Sequence, residues 1–286
     1  CRIIKSLHTT GVQGIYTPVV LLGKEGAYNK MEILVCIKQV PDDSVNIKMN
    51  PATNAPDLDI ATPIVNAFDT YALEMATRLK EAVGDSTITV VSVGPDKAKD
   101  AIKTCLAVGA SKGYVVKADA TDTISTADAL AKAVAKIEEA EGVKFDIIFC
   151  GKESTDCASG QVGTMLAEDL DVPVVPNLID IEMVDGGVSA KQETEEGYNV
   201  VEVATPCVVT VTKPEYEPRY PTIKSKMAAR KIPIGELEIG GVVAPAVTVV
   251  ANAEPPKKAA GVKINEETLE ESMAVALGMM RDAKVL

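Results

Sequence analysis

Residues 145–171 read Phe145-Asp146-Ile147-Ile148-Phe149-Cys150, then Gly151-Lys152-Glu153-Ser154-Thr155-Asp156-Cys157-Ala158-Ser159-Gly160-Gln161-Val162-Gly163, then Thr164-Met165-Leu166-Ala167-Glu168-Asp169-Leu170-Asp171. The first block is an apolar run of the kind that forms a parallel strand buried on both faces. The last block reads as a helix. Between them lie small and polar residues, with glycine at 151, 160 and 163. A strand that empties through such a loop into a helix leaves free backbone N–H groups at the helix N-terminus. Those donors and the helix dipole favour a phosphate. Gly160 and Gly163 are expected to let the backbone approach a ligand closely. A plain βα turn with capping residues accounts for the same shape. The loop is neither G-x-x-x-x-G-K-[ST] nor G-x-G-x-x-G, so it is not an ordinary NTPase or dinucleotide fingerprint.

Working outward, the same alternation recurs. Ile33 to Ile37 is a strand, and Lys38-Gln39-Val40-Pro41-Asp42-Asp43 turns out of it, bent at Pro41. Residues 50–59 are polar and read as loop. Asn66-Ala67-Phe68-Asp69 opens a helix with Asp69 as the expected N-cap and Tyr71, Leu73, Ala76 and Leu79 in helical spacing. Residues 87–93 form a β-branched strand closed by Gly94-Pro95. Residues 96–108 form a helix, 113–116 a strand, and 123–141 a long Ala-rich helix. Strands and helices alternating at this spacing imply a parallel sheet wound by right-handed crossovers. Ligands of such sheets bind beyond the carboxyl ends of the strands. Residues 36–38, 93–95 and 151 are therefore expected to line one crevice.

Composition agrees. The 286 residues are 47% apolar but only 3% aromatic, with no Trp, so the core must be Val, Ile, Leu and Ala. A net charge of −12 argues against nucleic acid or an anionic membrane as partner. No apolar run is long enough to span a bilayer. The cysteines at 1, 36, 105, 150, 157 and 207 include no C-x-x-C pair, which points to a reducing cytoplasm rather than a disulfide framework or zinc site. Residues 1–30 look foreign to the rest: Met31 directly precedes the first strong strand and is read as the start. Removing the four cations and one anion of that segment takes the net charge from −12 to −15 and removes His8, the sole histidine. A His-based triad or metal site is then excluded from the body, and no catalytic acid, base or metal ligand is assigned.

After Leu170 the character changes. Residues 188–192 and 198–203 flank a polar turn and read as a hairpin, and 206–212 as an apolar strand. Three prolines and two tyrosines between Lys213 and Pro221 make an exposed loop. Lys224, Lys226, Arg230 and Lys231 form a basic cluster in an acidic chain, either a solvated face or a docking surface. Residues 248–261 read as an extended arm, and residues 265–277 as a terminal helix capped by Asn265.

Taken in order, these pieces resemble the beta subunit of an electron-transfer flavoprotein. The resemblance covers residues 31–286. It rests on Lys38-Gln39-Val40-Pro41-Asp42, Asn66-Ala67-Phe68-Asp69 with Ala72 and Glu74, and Val91-Ser92-Val93-Gly94-Pro95. It continues through Gly151-Lys152, Asp156 and Gln161-Val162-Gly163, then Glu217-Pro218-Arg219-Tyr220, Pro255-Pro256 and Ala260-Gly261-Val262-Lys263. Each piece alone is weak, and the ordered set is specific.

The resemblance implies an α/β fold: a parallel, doubly wound, Rossmann-like nucleotide-binding sheet over 31–212. It implies a partner-recognition loop, basic helix and connecting segment over 213–247, and an arm and helix over 248–286 that contact an alpha subunit. It implies a heterodimer that passes electrons between NADH or a flavin dehydrogenase, such as an acyl-CoA dehydrogenase, and other acceptors, ferredoxin among them. The nucleotide is FAD in the flavin-bifurcating type and AMP in the respiratory type. Asp43 stands where respiratory members carry an aromatic, which favours FAD. Carried over by position, the nucleotide site is Cys36, Asn66, Ala67, Phe68, Asp69, Val93 and every residue from Gly151 to Gly163. Asn66 is expected to read an adenine edge, and Asp69 or Asp156 to hold a ribose hydroxyl or cap a loop. The partner site is Arg219, Tyr220, Ile223, Lys224, Lys226, Arg230 and Lys231. A non-redox adenine-nucleotide-binding α/β protein is the other class compatible with the sheet alone.

Overall fold

The computed structural model describes residues 6–7, 30–118, 120–254, 256 and 260–286. Apart from Ser6–Leu7 and Lys30, the expected upstream segment lies outside the described residues. The chain forms two compact units, Cys1–Ile47 with Asp57–Val250, and Lys48–Pro56 with Ala251–Leu286.

Elements are numbered along the chain. The first unit holds β1 (Ser6–Leu7), β2 (Met31–Cys36) and β3 (Gln39–Pro41). The short β4 (Met49–Asn50) and β5 (Ala55–Pro56) pair as a hairpin in the second unit. The first unit continues with β6 (Pro63–Val65), α1 (Ala67–Val83), β7 (Ser86–Val93), α2 (Ala98–Leu106), β8 (Lys112–Val116), α3 (Thr123–Glu141), β9 (Ile147–Gly151) and α4 (Val162–Asp169). Then come β10 (Val174–Val184), β11 (Gly187–Thr194), β12 (Gly197–Ala204), β13 (Cys207–Val211), α5 (Ile223–Ala229) and β14 (Ile234–Leu237). The second unit ends with α6 (Leu269–Asp282).

The large sheet runs β1-β12-β11-β10-β13-β9-β2-β7-β8-β14. From β10 to β14 every neighbouring pair is parallel, while β11, β12 and β1 extend it as antiparallel strands. All six residues of β2 and all five of β13 are buried, as strands covered on both faces require. Leu73, Met75, Ala76 and Leu79 of α1 and Ile102 and Leu106 of α2 pack on one face. Leu130, Ala133, Val134 and Ile137 of α3 and Leu166 and Ala167 of α4 pack on the other. Each large aliphatic side chain removed from water in these layers contributes roughly 1.5–3 kcal/mol. This is the doubly wound α/β architecture expected from the alternation.

Several boundaries differ from expectation. Residues 39–41 form β3, paired with β6, rather than a plain turn. The long strand β10 has no counterpart in the sequence reading. Pro176 and Asn177 interrupt its apolar run, and Asn177 has φ +57 with its N–H on Thr210 Oγ1 at 3.1 Å. The strand is bulged there: Val174 and Val175 pair with β13, and residues from Leu178 onward pair with β11. Residues 213–250 belong to the first compact unit, and β14 closes the sheet edge beside β8.

Helix α3 begins with a reciprocal capping box between Asp122 and Ser125 and stops at Gly142, φ +65. Helix α6 is not capped by Asn265. It starts at Leu269, where Thr268 accepts from Glu271 N and the Glu271 carboxylate accepts from Thr268 N at 3.1 Å. A capping box satisfies two end donors at once, worth about 1 kcal/mol, and outweighs a lone Asn.

Candidate functional site

Strand order reverses between β2 and β9. From β2 the chain winds through α1 to β7 and β8 on one side. From β8 it returns through α3 to β9 on the other. Such a switch point opens a crevice at the carboxyl ends of the two strands. Cys36 ends β2, Gly151 ends β9, and Val93 ends β7 alongside.

The crevice is built by the first turn of α1. Asn66 occupies the N-cap position but makes no side-chain cap. Its amide instead donates to Glu153 O at 2.8 Å and accepts from Thr155 N at 3.0 Å, and the residue is 1% exposed. Asp69 is not the N-cap expected from the sequence. It lies one turn in, 5% exposed, and its carboxylate accepts from Lys38 N at 2.7 Å and Gly151 N at 3.1 Å. Burial pushes the Asp69 carboxyl up to about 7, against the lowering pull of the Lys38, Asn66 and Gly151 donors. Both side chains expected to touch a ligand are thus engaged with the protein. Asn66, buried with both amide atoms on the loop, holds the loop rather than presenting an edge to a base. Ala67 is exposed and Phe68 half-buried at the same turn, with the Phe68 ring edge-on to Tyr71 at 6.4 Å.

Lys38, expected at the crevice by its place at the end of a strand but with no role assigned to it, tethers the loop. Its ammonium reaches Asp156 Oδ1 at 2.8 Å and Ser154 Oγ at 3.4 Å. Burial pushes the Asp156 carboxyl up, but the Lys38 and Ser154 donors outweigh it and hold it below its ordinary value. Asp156 therefore acts as a loop anchor in this structure. The signal available in the sequence was position alone: Lys38 follows the strand that ends at the switch point.

Beyond Asp156 the loop opens to solvent. Residues 155–161 are exposed, with Ala158 at φ +49 and Gly160 at φ +63. Gln161 leaves α4 without a side-chain cap and accepts from Thr123 Oγ1 at 3.1 Å. Among the described residues the first-turn N–H groups of α4 have no side-chain acceptor. The glycines divide the work differently than expected. At Gly151 a Cβ would sit 2.2 Å from Asp69 Oδ1, so the glycine permits α1 to cross the strand end. At buried Gly163 a Cβ would sit 2.5 Å from Thr210 Cγ2 and 3.3 Å from Cys150 Cβ. Gly163 packs α4 onto the sheet rather than opening a path to a ligand. Among the described residues no cluster of His, Cys, Asp and Glu could hold a metal.

Comparison with known proteins bears on this geometry. The model of the electron transfer flavoprotein domain matches residues 61–240. The electron transfer flavoprotein subunit beta of Megasphaera elsdenii is 39% identical over 231 residues, 79% of this chain and 85% of its own. That of Syntrophomonas wolfei is 38% identical over 237 residues, 83% and 91%. The caffeyl-CoA reductase-Etf complex subunit CarD of Acetobacterium woodii is 31% identical over 268 residues, 90% of this chain and all of its own. The chain belongs to the electron transfer flavoprotein beta-subunit family. Its role is in electron transfer.

In this beta subunit the segment expected to meet a partner splits into two parts. Arg219 is pinned to α1: Nε and one terminal nitrogen meet the Glu74 carboxylate at 2.8 and 3.1 Å, and the other reaches Glu81 at 2.6 Å. Arg219 N also donates to Glu74 at 3.1 Å. Arg78 adds a bond to Glu74 at 2.9 Å and stacks 3.8 Å over the Tyr216 ring. Burial pushes the Glu74 carboxyl up, and the arginine donors outweigh it to hold it low. Arg219 therefore anchors this segment to α1, with its side chain 36% exposed. Immediately beyond it, Tyr220 is 86% and Ile223 82% exposed. Lys224, Lys226, Arg230 and Lys231 are exposed as well, with no ion pair among the described residues. Among the described residues no helix is long and apolar enough to cross a membrane.

Proposed function

We propose that this beta subunit binds an adenine nucleotide, FAD, in the crevice between β2 and β9, and pairs with an alpha subunit carrying a second FAD. The observation that carries the reading is the loop 151–163. It is tied down at Asn66, Asp69 and Lys38, yet presents an exposed turn and the uncapped start of α4 at a topological switch point. Fixed donors facing open space suit a phosphate group. The residues present fit the group: residues 155–161 are exposed, and beside Gly160 a Cβ would meet only ordinary contacts, Lys152 O at 3.7 Å and Glu153 Oε2 at 3.9 Å, while the anchored half keeps the donors in place. Bound there, a flavin would supply hydride acceptance and electron transfer. The chain's own residues bind and orient it. The half-buried Phe68 and the Lys38-Gln39 turn flank the same strand ends.

NADH is the proposed donor to this site, with flavin-based bifurcation as the mode and ferredoxin and an acyl-CoA-type dehydrogenase as acceptors, in the cytoplasm. The relative from Acetobacterium woodii, named as part of a caffeyl-CoA reductase complex, supports the dehydrogenase partner. The exposed Tyr220, Ile223 and Met227, with the unpaired lysines beside them, form the proposed docking surface. In the second unit α6 has no buried residue, and Leu269, Met273, Leu277 and Met280 repeat at helical spacing along it. An apolar stripe of this kind is proposed to pack on the alpha subunit.

Acid extraction of the purified heterodimer tests the reading. FAD on both subunits with no AMP supports it. Near-equal AMP and FAD would make this the respiratory type with a structural AMP and reject bifurcation.

A further inference from the structure

The ladder between β2 and β9 pairs Ile33, Leu34 and Val35 with Ile147, Ile148 and Phe149 and then stops. Past that point the two chains diverge, β2 toward β3 and β9 into the loop. Sheet hydrogen bonds are lost where backbone N–H groups are still part-buried. Asp69 replaces them, one carboxylate oxygen on Lys38 N and the other on Gly151 N.

We infer that Asp69 is a positioning residue for the nucleotide: its ionised carboxylate sets how far the β2 and β9 ends part, and so where the loop presents its donors. The inference rests on the nucleotide reading above. It follows from how little play the contact has. The same turn of α1 carries Asn66, which grips the loop at Glu153 and Thr155. Any Cβ at position 151 would collide with Asp69 Oδ1. The carboxylate, the strand ends and the loop therefore move together.

The arrangement is proton-sensitive. A carboxylate accepts from both N–H groups at full strength, whereas a carboxylic acid turns one oxygen into a donor and accepts more weakly there. Burial pushes Asp69 up to about 7, so this change falls near neutrality. The Lys38 ammonium faces it from the β2–β3 turn and Asn66 from its own helix. The thiols facing it are the free Cys36 of β2, hydrogen-bonded to the free Cys150 of β9, and Cys105 of α2. The Cys150 contact and burial push Cys36 up, burial pushes Cys105 up, and the Asp69 charge adds to both, so they stay protonated. The two-acceptor form is present above the Asp69 pKa and lost as pH falls through it. Positioning thus predicts weaker nucleotide binding at lower pH. Simple repulsion between Asp69 and a phosphate predicts the reverse, since protonation would remove the repulsion.

The test strips the heterodimer of nucleotide and titrates it with FAD and with ADP-ribose, whose pyrophosphates keep their charge, from about pH 8.5 to about pH 6. Wild-type affinity should fall about tenfold across the range. Asp69→Asn, which keeps the shape but offers one acceptor, should bind about tenfold more weakly at the alkaline end and show a flat profile. A flat wild-type profile, or an Asn variant as tight as wild type or tighter, overturns the inference while leaving the nucleotide site intact. If Asp69→Asn fails to assemble, the wild-type profile alone decides. A wild-type dimer that takes neither ligand at any pH removes the nucleotide reading itself, and this inference with it.

Discussion

Arg219→Ala should destabilise the sheet unit by about 2 kcal/mol. The Glu74 side chain is only 3% exposed, and Arg219 supplies most of its donors, leaving Arg78 alone after the substitution. Breaking a fully buried ion pair costs about 3–5 kcal/mol. Arg219 itself is 36% exposed, so water can partly replace it, which lowers the figure to about 2 kcal/mol. The second contact, to Glu81, is with a carboxylate 58% exposed and adds little. For a domain of this size each kcal/mol moves the midpoint by about 2–4 °C, giving a drop of about 4–8 °C in a thermal melt of the heterodimer followed by circular dichroism. Glu74→Gln and the double variant close the cycle, and a coupling of about 1 kcal/mol or more is expected because the two groups touch. The pH dependence carries a sign. Glu74 is held below its ordinary value in the folded state, so its contribution is present above the unfolded pKa and lost as pH falls through the folded one. Arg219→Ala should flatten that acid limb. A variant melting within about 1 °C of wild type at neutral pH would refute the reasoning, for it would mean that Glu74 is adequately served by Arg78 and solvent.

Gly163→Ala should cost about 1–3 kcal/mol through the collision of its Cβ with Thr210 and Cys150, and should lower the melting midpoint even with nucleotide bound; a midpoint equal to wild type would show that α4 can slide off the sheet freely. Ile223→Ala should leave the melt within about 0.5 kcal/mol of wild type, since the side chain is exposed, while slowing electron delivery to the partner dehydrogenase. Equal loss of stability and of electron delivery would place Ile223 in a core rather than on the docking surface.

The parallel half of the fold was legible because its signals are local. Buried strands are apolar runs, and the helices between them carry period and caps, as at 123–141. The strand at 174–184 was hidden by a proline and a left-handed asparagine that tertiary pairing tolerates at a bulge. The strand at 234–237 was hidden by its length of four residues and its glycine. At the site, position along the strands indicated which segments meet, but not what each side chain does once there. Residue type alone suggests ligand contacts or caps at Asn66, Asp69 and Asp156, since the sequence holds no record that Lys38, Asn66 and Asp69 converge on one loop from 82 to 118 residues away. Arg219 was read as a surface cation for the same reason: Glu74 lies 145 residues earlier.

The central claim, that the nucleotide occupies the crevice at the β2/β9 switch point, is tested most directly by hydrogen exchange on the heterodimer with and without its nucleotide. Loading should slow deuterium uptake in residues 36–39, 66–69, 93–95 and 151–164, with the largest change in the first turn of α4, whose N–H groups would gain an acceptor. Protection confined to other segments, with 151–164 unchanged, would contradict the account.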